Sequence, residues 1–268
     1  MKKVFALLFS LTFLAGCHKD TDCPPAEMPV GGVISLHSDS GSEGGTALKA
    51  VTGSDEVADD RLTYVFEAWT RDANPRCVLH KTVTGTYTEA VIEIILVPGA
   101  YDFLFWADHG DEYYVTDNLR QVKIAMTPGS SPATYVPSGR RDAFACVQTD
   151  VVWNGGNGMS AILVRPLAKL IIRNKTEFVS AGKEVSVTYK NVPIQYDVLA
   201  GAASVPTDLT LAFPTTEAGS FSVAEDFLFV PSEGIHVGLT ISVDDVSKEA
   251  GVLPLKPNYT TTVTGSFE

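Results

Sequence analysis

Leu62-Thr63-Tyr64-Val65-Phe66-Glu67-Ala68-Trp69 decides the fold. In an extended chain Leu62, Tyr64, Phe66 and Ala68 lie on one face, and Thr63, Val65, Glu67 and Trp69 on the other. This period of two predicts a half-buried strand. Cys77 to Val83, Ala90 to Val97, Tyr101 to Ala107 and Leu119 to Met126 read the same way. Pro98-Gly99 predicts a tight turn between two of these runs. Trp153-Asn154-Gly155-Gly156-Asn157-Gly158 predicts a second turn, in residues that tolerate positive φ. Ala161 to Arg173 is a long apolar run interrupted by Pro166. Proline cannot donate to a ladder, so a bulge, an edge or a strand switch is expected there. Val185 to Tyr189, Asp208 to Phe213, Asp226 to Val230, Val237 to Val243 and Tyr259 to Phe267 complete the strands. No amphipathic helix longer than about three turns is found. Short strands spaced roughly 8–12 residues apart predict an all-β sandwich or barrel.

The chain has 268 residues, of which 45% are hydrophobic and 19% charged. That suits one large β domain or two of middle size, with a core that needs no metal or disulfide staple. A faint echo favours two related sandwiches. Leu96-Val97-Pro98-Gly99 leads into one alternating strand that ends at Asp108, and Phe229-Val230-Pro231-Ser232 leads into another that ends at Asp244-Asp245. The division falls near Gly158–Pro166.

The first seventeen residues read as an export signal. Lys2 and Lys3 precede an apolar stretch, Val4 to Leu14, which closes with Leu14-Ala15-Gly16-Cys17. The stretch is short of the roughly 20 residues that span a bilayer. Its ending resembles the lipobox of bacterial lipoproteins. That resemblance implies cleavage before Cys17, a diacylglycerol on its thiol, and a membrane partner reached through that lipid. His18 to about residue 60 reads as a flexible tether, with Pro24-Pro25, Gly31-Gly32 and the run Ser38 to Gly45, and with one strand-like piece, Val33 to His37. The net charge of −12 repels nucleic acid and anionic lipid, so no nucleic-acid partner is expected and the lipid must hold the membrane. If Cys17 is lipidated, Cys23, Cys77 and Cys146 remain. Cys77 and Cys146 either stay free in apolar surroundings or form a bridge.

Catalytic motifs are absent from the sequence: it has no Gly-x-Ser-x-Gly, no His-Glu-x-x-His and no phosphate-cradling loop. No cofactor or metal is implied. The five histidines are scattered singly. Asp108-His109-Gly110-Asp111-Glu112 is the densest polar cluster. It offers oxygens to Ca²⁺ but lacks the alternation of a calcium loop, and reads first as an acidic hairpin loop. Trp69 and Trp106 lie within strands, where core packing is the default. Trp153, Tyr113 and Tyr114 border loops and are the candidates for exposed contacts with a ligand such as a glycan.

Several phrases carry a wider resemblance: Pro98-Gly99-Ala100-Tyr101-Asp102-Phe103, Tyr113 to Arg120, Arg165-Pro166-Leu167-Ala168-Lys169-Leu170, Tyr189-Lys190-Asn191-Val192-Pro193, Phe227-Leu228-Phe229-Val230-Pro231 and Leu255 to Thr261. In this order they resemble a fimbrillin-related lipoprotein family of the Bacteroidetes, the FimA/Mfa-type fimbrial subunits, over residues 30 to 268. The resemblance implies two antiparallel Greek-key β-sandwiches of transthyretin-like type. With the signal peptide at 1–16 and the acylated tether at 17–60, the sandwiches would occupy 61–160 and 161–268. It implies a non-enzymatic surface role in adhesion or fimbrial assembly and anchoring, at the outer membrane, with other fimbrial subunits or host ligands as partners. It also implies proteolysis after an arginine. Arg61 is the first arginine after Cys17 and precedes the strand from Leu62, so a cut there would remove the strand Val33 to His37 and open a groove for a partner strand. The final strand, Tyr259 to Phe267, is expected either to be paired or to be a donor. The alternative is a surface glycan-binding lipoprotein. A glycoside hydrolase would need two facing carboxylates, and no specific pair stands out. Cys17→Ser is expected to abolish incorporation of labelled fatty acid into the expressed protein; a labelled variant would contradict the lipidation site.

Overall fold

The computed structural model describes residues 28–39, 61–126, 132 and 136–267. The signal segment, Cys17, Cys23 and residues 40–60 of the expected tether lie outside the described residues. Among the described residues sixteen strands follow one another. The first half contributes β1 (Val30–Asp39), β2 (Arg61–Thr70), β3 (Cys77–Thr86), β4 (Glu89–Leu96), β5 (Gly99–Asp108), β6 (Tyr114–Val115), β7 (Val122–Ile124), β8 (Ala143–Trp153) and β9 (Gly156–Val164). The second contributes β10 (Leu167–Asn174), β11 (Val185–Asp197), β12 (Ala202–Phe213), β13 (Ser222–Phe229), β14 (Ile235–Val243), β15 (Val246–Leu255) and β16 (Thr260–Gly265).

The expected all-β fold of sandwiches is present. One sheet runs β3-β2-β5-β8-β9-β1-β4. Its β8 and β9 pair at Ala145 and Val164 alone among the described residues, and there the sheet folds into two layers. Ile34, Leu36, Tyr64, Phe66, Ile92, Phe103, Phe105 and Leu163 pack between them. The second sandwich faces β13-β10-β16 with a sheet in which β11 joins β14-β15 and β12, and β7-β6 extends it. Two pairings, β1 with β9 and β10 with β16, are parallel, where antiparallel ones were expected.

The expected domain limits need correction. β1 belongs to the first sandwich, not to a tether. A division at 160/161 would cut β9, and β6 and β7 pair with the second sandwich, not with the first. The chain changes sandwich at Arg165-Pro166, where proline ends one ladder before Leu167 starts another. The two proline turns of the sequence echo do matching work, since each carries the chain from one layer of its sandwich to the other.

The reading of β2 as half-buried is also corrected. Its second face is buried too, with Val65 and Glu67 at 2% and 1% exposure. That face, with Leu104, Trp106, Ala143 and Ala145 of β5 and β8, packs into the core of the second sandwich. Trp106 touches Tyr114, Tyr196 and Phe229 there, at ring distances of 5.4, 6.4 and 6.2 Å.

Charged groups are buried along the same boundary. Arg141, just before β8, donates to Asp226 of β13 at 2.9 Å. The Asp226 carboxylate also accepts from the Tyr189 hydroxyl at 2.8 Å and the Phe227 amide at 2.9 Å. Burial pushes the Asp226 carboxyl above its ordinary range, and the Arg141 charge and these donors pull it back. Arg165 grips Asp142 through two parallel bonds of 2.6 and 2.5 Å and reaches Asn258 at 3.2 Å. Glu67 accepts from Trp69 Nε1 at 2.8 Å and from the Leu119 amide at 3.0 Å.

Removing one member of a buried ion pair leaves the other charge unanswered, which costs about 3–5 kcal/mol. Arg141→Met and Asp226→Leu are each expected to lose about that much in urea unfolding, and the double variant to lose less than their sum. Additive losses would contradict a coupled pair. Asp108 is pushed to about 6, first by burial, with Asp111 adding to the rise and bonds from the Gly110 amide and Trp106 Nε1 opposing it. The folded chain therefore holds a proton there between pH about 4 and 6 that the unfolded chain has released. This group's contribution to stability declines as pH rises through that window. A carboxyl carbon resonance of Asp108 titrating near 6 is expected; a midpoint at the ordinary 3.8 would contradict it.

Candidate functional site at the groove filled by β1

β1 is an inner strand, antiparallel to β4 on one side and parallel to β9 on the other. Both of its edges are therefore engaged in main-chain pairing. Alternation sends Gly32, Ile34 and Leu36 inward, and Ile34 and Leu36 are fully buried. Each inward position has its own surroundings. Leu36 lies between Ala90 and Ala161, whose small side chains leave room for a large one. Ile34 lies between Ile92 and Met159, and Gly32 between Ile94 and Gly156.

Gly32 is fixed by sterics rather than flexibility. A Cβ there would overlap the Gly156 carbonyl oxygen and the ring of Trp153. Trp153 roofs this contact and donates from Nε1 to the Val30 carbonyl at 3.3 Å. Past Gly156 the register slips, because Val33 faces Asn157 and Ile34 faces Met159, which leaves Gly158 as the extra residue. Gly158 has φ of 108°, a conformation that side chains rarely adopt. The predicted turn cluster thus holds both the turn and the bulge that seats β1. At the other end of β1, the Ser38 amide donates to the Thr88 carbonyl at 3.1 Å and its hydroxyl to the Tyr87 carbonyl. A cleft of about 500 Å³ opens beside Gly31–Val33, between β3 and β4, lined by Leu79, Lys81, Glu93 and Ile95.

Arg61 is exposed at the first position of β2, opposite Thr86. Residues 40–60 alone connect it to Asp39 at the end of β1, and they lie outside the described residues.

The three expected loop contacts are all buried. Trp153 is 4% exposed because it covers Gly32, and Tyr113 and Tyr114 are 2% and 9% exposed inside the second core. They stack edge to face at 4.9 Å, and the Tyr114 hydroxyl donates to the Arg141 carbonyl at 2.6 Å. No sugar platform can form from them. Trp69 is the tryptophan that stays half-buried. The Arg120 guanidinium lies 5.2 Å from its ring centre, in a shallow pocket with Asn118, Gln121 and Asp197. In the acidic loop, Asp108 is occupied by Trp106 and Gly110, and Asp111 accepts from Arg140 at 2.8 Å. Among the described residues no three His, Cys, Asp or Glu side chains come together as a metal site. Cys77 on β3 and Cys146 on β8 are both free thiols. Two strands, β2 and β5, stand between theirs, which puts them three strand spacings of about 4.8 Å apart and beyond bridging distance. β16 is paired along β10, and the Phe267 amide is anchored on Asn174 at 2.9 Å.

The sequence matches the model of a family of unknown function (DUF6562) over residues 33–267, from within β1 to the residues just after β16. The chain belongs to this family. No curated protein matches it. Among solved structures, it is similar to a candidate polysaccharide-binding protein (DUF1812) of Bacteroides thetaiotaomicron, with a TM-score of 0.51 and 11% identity over 82% of this chain and 78% of the other. It is also similar to the tip fimbrial protein Mfa3 of Porphyromonas gingivalis, truncated at its C-terminus, with a TM-score of 0.43 and 13% identity over 83% and 81% of the two chains. A fimbrial assembly protein of Parabacteroides distasonis gives 0.43 and 10% over 90% and 92%. At 11% identity the first of these likenesses is one of fold alone.

Removing the Trp153 ring takes away both the roof over Gly32 and a large buried surface. Trp153→Ala is expected to lower stability by about 3–5 kcal/mol in urea unfolding. A loss below about 1 kcal/mol, the scale of a surface change, would contradict its role in seating β1.

Proposed function

We propose that the chain is a non-enzymatic lipoprotein of the outer membrane, anchored through Cys17 and exposed at the cell surface, where it serves adhesion or fimbrial assembly by β-strand addition. The observation that carries this reading is the placement of β1. It is the first described strand of the chain, it fills an inner position of a sheet, and it is joined to the rest of the protein only through residues 40–60 and Arg61. A cut at Arg61 would leave β1, together with the Cys17 anchor that precedes it, held by pairing and packing alone, so the lipid ties the body to the membrane only while β1 stays seated. Its departure would expose the unpaired edges of β4 and β9 and the apolar floor beneath Ile34 and Leu36. An open edge of this kind recruits another strand, with main-chain bonds giving affinity and alternate side chains giving selectivity. The glycan-binding alternative loses Trp153, Tyr113 and Tyr114 and retains the pocket at Trp69.

In cells that process the protein, Arg61→Gln is expected to leave a single uncut species and to abolish higher-order assemblies on denaturant-free gels. Assemblies formed equally well by the uncut variant would refute strand exchange as the route.

A further inference from the structure

The groove under β1 carries a steric code that defines which strand can enter it. This inference rests on the strand-addition reading above and specifies its partner. We propose that the groove accepts, from another chain, an extended segment of the pattern glycine-x-aliphatic-x-large aliphatic, without proline, running parallel to β9 and antiparallel to β4.

Each part of the pattern comes from one wall of the groove. Glycine is required first because the Gly156 carbonyl and the Trp153 ring occupy the volume of any Cβ at the place of Gly32. The Gly156 oxygen belongs to the backbone, so no rotamer change clears it. Two residues on, Ile34 sits between Ile92 and Met159 and needs a branched apolar side chain to keep contact with both. Four residues on, Leu36 fills space that Ala90 and Ala161 leave between them, and a small residue there would leave a cavity. Proline is excluded because both edges of the entering strand pair, so a missing amide or a ring would break one ladder or the other. The direction is set by the bulge. Gly158 slips the β9 register between the glycine position and the first aliphatic, and an incoming strand of reversed direction would meet that slip at the wrong place. The intervening positions, Val33, Ser35 and His37, point to the outer face and set no such demand. In sequence the Gly31-Gly32 pair looks like linker; in the fold the second glycine stands where the groove leaves no room for a side chain.

The test uses the full chain with a specific protease site placed between residues 40 and 60. Cleavage leaves β1 seated but no longer covalently attached. Synthetic peptides of residues 28–39 then compete for the groove in mild urea, and exchange is followed by mass and by Trp153 fluorescence. The wild-type peptide is expected to replace the resident strand. Gly32→Val is expected to weaken competition roughly 10- to 100-fold through overpacking. Leu36→Ala is expected to weaken it on the order of 100-fold through the cavity left between Ala90 and Ala161. Val33→Thr and His37→Ser are expected to stay within about threefold of wild type. A wild-type peptide that never enters would overturn the strand-addition reading itself. Entry of the wild-type and Gly32→Val peptides with equal strength would overturn the steric code while leaving strand addition standing.

Discussion

Carboxylates withdrawn from water set the geometry of this molecule. Glu67, Asp142 and Asp226 are all buried where the first sandwich meets the second, and each must be answered by donors because a low-dielectric surrounding penalises an unpaired charge. Asp226 takes Arg141 and Tyr189, Asp142 takes Arg165, and Glu67 takes Trp69 and the Leu119 amide. Every one of these contacts joins segments distant in sequence or strands of different sheets, except the Trp69 bond within β2. Apolar packing is non-directional, and a bidentate arginine–carboxylate pair such as Arg165–Asp142 adds the directional geometry it lacks. The aromatic layer around Trp106 supplies the apolar area, and the buried pairs fix its register.

Against this fixed body, β1 is held differently. Its side chains contribute two fully buried aliphatics, a glycine contact roofed by Trp153 and a serine at its end, and its backbone does the rest. The strands behind it, β2, β5 and β8, are tied into both cores, whereas β1 belongs to the first alone. β4 and β9 are buried in the first core alone as well, so the contrast lies between two layers, and within the singly buried layer the line of separation for β1 is set by the sequence. That line lies between the part of the chain before residue 40 and the part that begins at Arg61.

Much of the fold was legible in the sequence because strands alternate and turns use glycine and proline. The run from Leu62 to Trp69 marked β2, Pro98-Gly99 marked the crossing into β5, and Pro166 marked the change of sandwich. β8 and β15 were missed, since Val147-Gln148-Thr149-Asp150 and Ser247-Lys248-Glu249 carry too little apolar alternation to stand out. The second face of β2 misled for a different reason. Period two reveals that a strand has two faces, but not that a second sandwich covers the polar one, and the buried Glu67 and its partners meet only in three dimensions. The candidate site was legible in part. Arg61 and the strand Val33 to His37 were visible, yet Trp153 read as an exposed loop residue because its partner, Gly32, lies more than a hundred positions away. A tryptophan beside a glycine-rich turn and a glycine pair ahead of an alternating run are each ambiguous, and only their contact gives them meaning.

The central claim, that β1 is separable from an otherwise rigid body, is tested most directly by native-state hydrogen exchange on the intact chain at rising, sub-denaturing urea. The amides of Val30–Asp39 should exchange through an opening of lower free energy than those of β2, β5 and β8, with β4 and β9 gaining exchange in the same step. If the β1 amides exchange only with the global unfolding of the first sandwich, the strand is not a separable element, and the account of the groove fails.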